Sequence, residues 1–391
     1  MKQLVYGAVG LAAMALPLAS AQAADSLKLG YLGGLTGYLA PYDQPSLAGV
    51  QVAVEEINAA GGIDGKIMID LIERDMRSDT AQAGIMAQEM IDAGVQVLIT
   101  PCDVDPSIAA GLMAQTAGVP AVTSCASTPT LPATVGEYMF SNYTADNLQA
   151  AALAGYAQDR GYKTAYILLS PDTPYTQRLP EYFIVAFEGK GGKILGVSEY
   201  SAGQQDFSAE ATIIAGLDPA PDVIMTSAYE PAFPAFIRQL RGAGVEAPVL
   251  GSDGIDSPTT LGLGEVAEGV VFTNAGFPTE GSPLAAFYER FEALHGSPAD
   301  TAFTATGYDI VKVIEAAVIA AGSTDPAAIR DAIDGIENVA GATGAVTYKG
   351  MDRVPLRNVA LNRVTGGKVE HVGDVVPDPK EVPAPDSGTR E

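Results

Sequence analysis

The chain has 391 residues, 47% apolar and 18% charged, enough to bury a sizeable core and incompatible with general disorder. Acidic residues number 47 against 22 basic ones, and the net charge of −25 repels phosphate backbones and anionic lipid, which argues against a nucleic-acid partner. Two His and two Cys do not supply a zinc cluster of ordinary spacing, and no C-x-x-C occurs.

The first residues form a unit of their own. Lys2 precedes an apolar stretch from Leu4 to Leu18, and Ala21-Gln22-Ala23 offers the small residues that signal peptidase accepts. Residues 1–23 are therefore expected to be a cleaved secretory signal, with an N-terminal anchor as the competing reading. No later run reaches about 18 uninterrupted apolar residues, so the mature chain is expected to be soluble and exported.

Strand and helix patterns then alternate. Leu27–Gly33 reads as a strand, Ser46–Ala60 as a helix stopped by Gly61-Gly62, Ile67–Ile72 as a strand and Thr80–Ala93 as a helix. Val95–Thr100, the helical Ser107–Thr116 and Pro120–Thr123 continue the series. The pattern restarts near residue 145 with helix Asn147–Arg160, strand Thr164–Leu169 and helix Glu181–Lys190. Lys193–Tyr200, Ser208–Ala215, Asp222–Ser227, Ala232–Arg241 and Val249–Gly251 extend it. Helical patterns follow over Pro283–Leu294, Thr304–Ala321 and Pro326–Asp334, then β-like runs at Val346–Tyr348, Val359–Arg363 and Lys368–Val372. Such alternation predicts an α/β fold of two doubly wound parallel sheets. Pro377 to Glu391, with four prolines and few apolar residues, reads as a disordered tail.

Catalysis finds little support. Gly33-Gly34-Leu35-Thr36-Gly37 lacks both the Lys-Ser/Thr of a P-loop and the G-x-G-x-x-G spacing, so a flexible loop is the simpler reading. No G-x-S-x-G elbow occurs, and neither His295 nor His371 is placed to serve as a triad base. Asp75, Asp103, Asp105 and Asp253 are candidate acids, yet no spacing rule selects a pair among them. No cofactor is expected. Ligands of parallel sheets bind beyond the carboxyl ends of the strands. There the chain places Tyr42, the Cys102–Pro106 loop, Ser124-Cys125-Ala126-Ser127, Tyr175, Tyr229 and Asp253, which together suit an enclosed polar and aromatic pocket.

From Leu27 to about Val376 the chain resembles the branched-chain amino acid (Leu/Ile/Val) type of periplasmic solute-binding proteins of ABC importers, the type I two-lobed fold. The resemblance is strongest in Gly37-x-x-Ala40-x-Tyr42 and in Gly49-x-x-x-Ala53-x-x-x-Ile57-Asn58-Ala59-Ala60-Gly61-Gly62-Ile63-x-Gly65. Ala121-Val122-Thr123-Ser124-x-Ala126-Ser127, Asp206-Phe207-Ser208, Ile237-Arg238-Gln239-Leu240 and Leu250-Gly251-Ser252-Asp253-Gly254 add to it. The family implies two lobes joined by three crossovers, here near Thr144, Asn274 and Asp352. Lobe one would then hold residues 25–144 and 275–352, and lobe two 145–274 and 353–376.

The resemblance also implies roles. Tyr42 would cover the ligand from lobe one, and Ala126 and Ser127 would hold its carboxylate, with main-chain atoms of Cys125 beside them. Tyr175 and Tyr229 match the second-lobe aromatics, Asp253 the acid that pairs with an α-ammonium, and Phe303 an aromatic of the side-chain pocket. One departure stands out. Where amino-acid binders of the family use a Ser to grip the carboxylate, this chain has Asp103-Val104-Asp105. These acids favour a basic amino acid, an amide or an amine over a plain aliphatic amino acid. The alternative is that they face solvent or cap the helix that follows.

Cys102 and Cys125 follow consecutive strand patterns, and neighbouring parallel strands about 4.8 Å apart bring such exits within disulfide reach. A Cys102–Cys125 bridge is therefore expected, with free buried thiols as the alternative. The family's known bridge ties a different pair of positions, and no Cys lies near Arg77. The implied function is capture of a small amino-acid-like solute (amino acid, amide or amine) and delivery to an inner-membrane ABC permease, by a monomer and without chemistry. Presentation of the liganded form to a membrane sensor is the alternative.

Overall fold

The computed structural model describes residues 26–299 and 301–386, so the expected signal segment lies outside the described residues. The chain opens with β1 (Ser26–Gly33), α1 (Ala40–Ala59), β2 (Met68–Asp75), α2 (Thr80–Asp92) and β3 (Val97–Thr100). It continues through α3 (Val104–Ala117), β4 (Ala121–Thr123), α4 (Leu131–Val135) and β5 (Met139–Ser141). These strands form a five-stranded parallel sheet in the order β2-β1-β3-β4-β5. All four residues of β3 are buried, as expected of a strand covered by helices on both faces.

The second lobe begins with α5 (Asp146–Asp159), β6 (Thr164–Leu169), α6 (Pro174–Gly189), β7 (Lys193–Glu199) and α7 (Ser208–Ala215). It proceeds through β8 (Val223–Thr226), α8 (Ala232–Gly242), β9 (Val249–Gly251), α9 (Pro258–Leu261) and β10 (Val271–Asn274). The chain then returns to the first lobe with α10 (Pro283–His295), α11 (Ala302–Ala321), α12 (Pro326–Asp334) and the hairpin of β11 (Val339–Gly341) and β12 (Gly344–Val346). Finally β13 (Val359–Thr365) and β14 (Lys368–Val375) complete a seven-stranded sheet, β14-β13-β10-β9-β8-β6-β7, in which β13 runs antiparallel to both neighbours. The passages between sheets cover residues 142–145, 275–282 and 347–358. The architecture is a type I periplasmic-binding fold.

Two features of the fold place the residues at the cleft. Helices α1 and α11 cross at Gly49 and Gly307, where a Cβ would collide with the carbonyl of Thr304 and of Ser46 respectively. Without side chains at these crossing points the backbones meet, which sets Phe303 at the start of α11 with its ring centroid 5.6 Å from that of Tyr42. The second feature is a buried ion pair in the third passage. Arg357 pairs with Asp309 of α11 at 3.2 Å and also donates to the Asn142 carbonyl in the first passage.

Several elements differ from the sequence expectation. β5, β10, α4 and the β11 strand carried too few residues to show a period. The Val346–Tyr348 run is mostly outside β12, because the hairpin turns earlier, at 342–343. The disordered tail is corrected for residues 377–386, which lie against lobe two in an irregular path. The Pro383 carbonyl accepts from Asn147 at 2.9 Å, the Pro385 carbonyl accepts from the Tyr182 hydroxyl at 2.5 Å, and Glu381 pairs with Lys190. Proline composition removed donors from this segment but left its carbonyls free to accept. Residues 387–391 lie outside the described residues.

Candidate functional site

The cavity between the lobes is built from strand exits and from the first turns of the helices that follow them. Three of these helices begin earlier than periodicity suggests, α1 at Ala40, α3 at Val104 and α6 at Pro174. Each carries a proline in its opening turn, Pro41, Pro106 and Pro174, where a missing N–H costs no intrahelical bond. The added turns hold Tyr42, Val104 and Tyr175. Asp103 is the N-cap of α3, its carboxylate accepting from the Val104 N–H at 2.7 Å.

β3 and β4 pair in register, Thr100 with Thr123, and Cys102 and Cys125 each follow two residues later. The structure joins them in a disulfide with Cα atoms 4.6 Å apart, tying the start of α3 to the loop after β4. The Thr123 hydroxyl organises that loop, donating to the Pro101 carbonyl at 3.0 Å and accepting from the Ala126 N–H at 2.9 Å.

A cavity of about 40 Å³ lies at the centre, several times what one water requires. From lobe one it is lined by Tyr42, Asp103, Val104, Cys125, Ser127 and Phe303, and from lobe two by Tyr175, Tyr229 and Asp253. Cys102, in the loop expected at the pocket, adds to the wall, and Leu39 and Gly254, which were not anticipated there, complete it. Gly254 had a readable signal, since it follows Asp253 at a strand exit. A Cβ there would stand 2.7 Å from that of Tyr229 and 2.9 Å from the Tyr175 hydroxyl, so only glycine fits without a shift. Two expectations are corrected. Asp105 is half-buried in the first turn of α3 and does not line the cavity; neither does Ala126, whose N–H is taken by Thr123. A second cavity of about 320 Å³ shares Tyr229 with the first and is walled by Tyr38, Tyr200 and Glu230 among others.

The lobes touch directly across the cleft. The Tyr42 hydroxyl donates to the Gly254 carbonyl at 2.9 Å and accepts from the Glu230 N–H at 3.0 Å, and the Tyr229 hydroxyl donates to Asp103 at 3.3 Å. Tyr229 meets Tyr42 and Tyr175 edge to face, with centroids 6.1 Å and 5.8 Å apart. Asp253 accepts from the Tyr175 hydroxyl at 3.1 Å, and that hydroxyl in turn accepts from the Gly254 N–H.

Burial dominates the electrostatics. Asp253 is 4% exposed, and desolvation pushes its carboxyl up to about 7 against the pull of its hydrogen bonds. Asp103 is pushed up to about 6 for the same reason, with Asp105 adding to the rise. Among the described residues, no basic side chain lines the cavity or offsets either carboxylate. Nor does any group of three His, Cys, Asp or Glu among them have an arrangement that would hold a metal ion. Among the described residues, a cationic group is what the walls of this cavity lack.

The family model described as "Periplasmic binding protein" matches residues 26–368. The chain belongs to the periplasmic binding protein family. Its members bind solutes rather than transform them. The Leu/Ile/Val-binding protein homolog 3 of Brucella melitensis is 29% identical over 334 residues, covering 84% of this chain and 89% of the relative. The leucine-binding protein LivK of Thermotoga maritima superposes with a TM-score of 0.83 at 27% identity, over 90% of this chain and 99% of that one. The branched-chain amino acid substrate-binding protein LivJ of Streptococcus pneumoniae, solved with isoleucine, gives 0.82 at 26% identity over the same shares. The likeness to the Leu/Ile/Val-binding proteins thus extends over both lobes.

Proposed function

We propose that this protein is the periplasmic receptor of an ABC importer. It captures a small amino-acid-like solute (an amino acid, amide or amine) between its lobes and hands the closed, liganded form to an inner-membrane permease. The observation that carries the reading is Asp253, a buried carboxylate facing an interlobe cavity without a basic partner among the described residues. A ligand ammonium would supply the missing charge, and the phenol of Tyr175 already orients the carboxylate toward it. Leu/Ile/Val-binding relatives and the solved structures of transporter receptors support the transport role. The permease would recognise closure because both lobes then present one continuous surface. A thermal-shift screen of the mature chain over amino acids, amides and amines tests the reading, since a bound ligand raises the melting temperature by mass action. At least one class should give a saturable rise; no rise from any class would remove the receptor assignment.

A further inference from the structure

We infer that the cavity is built for a small organic cation without a free carboxylate, its charged nitrogen held between Asp103 and Asp253 and walled by tyrosine rings. The inference rests on the receptor reading and narrows its ligand class to alkylamines and quaternary ammonium compounds.

The two carboxylates come from opposite lobes, and both line the same small cavity. Each is oriented by a lobe-two phenol, Asp103 by Tyr229 and Asp253 by Tyr175. Closure therefore brings two acids and two phenols to one point, and a positive charge between them would be met from both sides. The rings add to this, because a cation over a tyrosine or phenylalanine face is attracted by the ring quadrupole. Tyr42, Tyr175, Tyr229 and Phe303 supply four such rings in mutual contact.

A ligand carboxylate, in contrast, finds three N–H groups of lobe one already taken. The Val104 N–H goes to Asp103, the Cys102 N–H to Asp43 at 2.8 Å, and the Ala126 N–H to Thr123. The start of α3, which would attract an anion through its free N–H groups, is instead capped by a carboxylate that itself faces the cavity. Behind Ser127 stands yet another acid. Asp146 is fully buried, its N–H donates to the Ser127 carbonyl, and burial pushes its carboxyl well above the ordinary range against the pull of the Ser127 hydroxyl. It lies close enough to raise the electrostatic cost of ionising Tyr175 and is itself raised by Asp253. A buried acid beside the wall, bonded to Ser127, offers no positive partner where an amino acid's carboxylate would have to sit.

Isothermal calorimetry on the mature full chain at pH 8 tests the inference with three probes: choline, 1,4-diaminobutane and L-leucine. At least one of the two cations should bind about tenfold or more tightly than leucine, as expected where a cation meets a buried, oriented acid. Asp103→Asn keeps the helix cap, because Asn caps as well as Asp, while removing the charge. It should weaken the cation at least about tenfold, with the far-ultraviolet spectrum unchanged. Leucine binding more tightly than both cations, or cation affinity untouched by Asp103→Asn, overturns the inference and leaves the receptor reading in place. If all three probes and the wider amino-acid and amide screen give no heat, both readings fall.

Discussion

Two buried aspartates in this molecule meet opposite fates. Asp309, in α11, is fully buried and paired with Arg357, and it accepts further bonds from the Thr343 N–H and hydroxyl and the Ala342 N–H. Asp253, at the exit of β9, is buried almost as deeply but has only neutral donors around it. Burial raises both carboxyls, yet at Asp309 the guanidinium of Arg357 pulls the other way, and at Asp253 no cation does. The difference separates two uses of the same side chain. Asp309 with Arg357 fastens the first and third passages to lobe one, so its charge is satisfied within the chain. Under the proposed function, Asp253 would take its counter-charge from the ligand.

The sharpest way to break this contrast is to remove each charge in turn. Arg357→Ala leaves Asp309 buried and unpaired, and the loss of unfolding free energy in urea should be about 3–5 kcal/mol. Asp253→Ala removes an uncompensated buried acid, so the unfolding midpoint at pH 8 should hold or rise. Its effect should fall on binding, with calorimetry showing a loss of about 2–5 kcal/mol in affinity for the ligand found by thermal shift. Wild-type affinity in Asp253→Ala would remove the ammonium partner from the account. A stability loss as large as that of Arg357→Ala would make Asp253 a structural residue.

A smaller effect is expected from pH. Asp43 and Asp253 are pushed up to about 7, and Asp103 and Asp256 to about 6, each chiefly by burial. Because these folded-state values lie above the ordinary carboxylate range, the native chain holds more protons than the unfolded one between about pH 4 and 7. Their contribution to stability therefore falls as pH rises through that window, and the ligand-free protein should melt at a higher temperature at pH 5 than at pH 8. Binding of a cationic group runs the other way, since it requires the ionised acids: affinity should rise from pH 5 to pH 8. A melting temperature that climbs over the same interval, or an affinity that does not change, would show that Asp253 and Asp103 are solvated.

How much of this was legible in the residues depended on proline. The alternation of strand and helix was plain wherever elements ran past one or two turns, and the exits of β4, β8 and β9 led directly to Ser127, Tyr229 and Asp253. The opening turns of α1, α3 and α6 read as loops, because Pro41, Pro45, Pro106 and Pro180 look like breakers in a single sequence. Pro41 and Pro106 stand in the first turn, where the missing N–H is cheap, while Pro45 and Pro180 lie inside their helices. The tail was misread for a related reason, since composition reports what a segment cannot donate and is silent on where its carbonyls dock. Leu39 could not have been found from pattern at all. It lines the cavity from the N-cap position of α1.

We propose that ligand is held by two lobes closing on each other, and the Tyr42–Gly254 and Tyr229–Asp103 bonds already link the lobes across the cleft. Small-angle X-ray scattering of the mature chain, with and without the ligand that gives the largest thermal shift, tests it most directly. A smaller radius of gyration is expected at saturating ligand, as the open lobes hinge at their three connecting passages onto the cavity. A scattering curve unchanged by saturating ligand would contradict it.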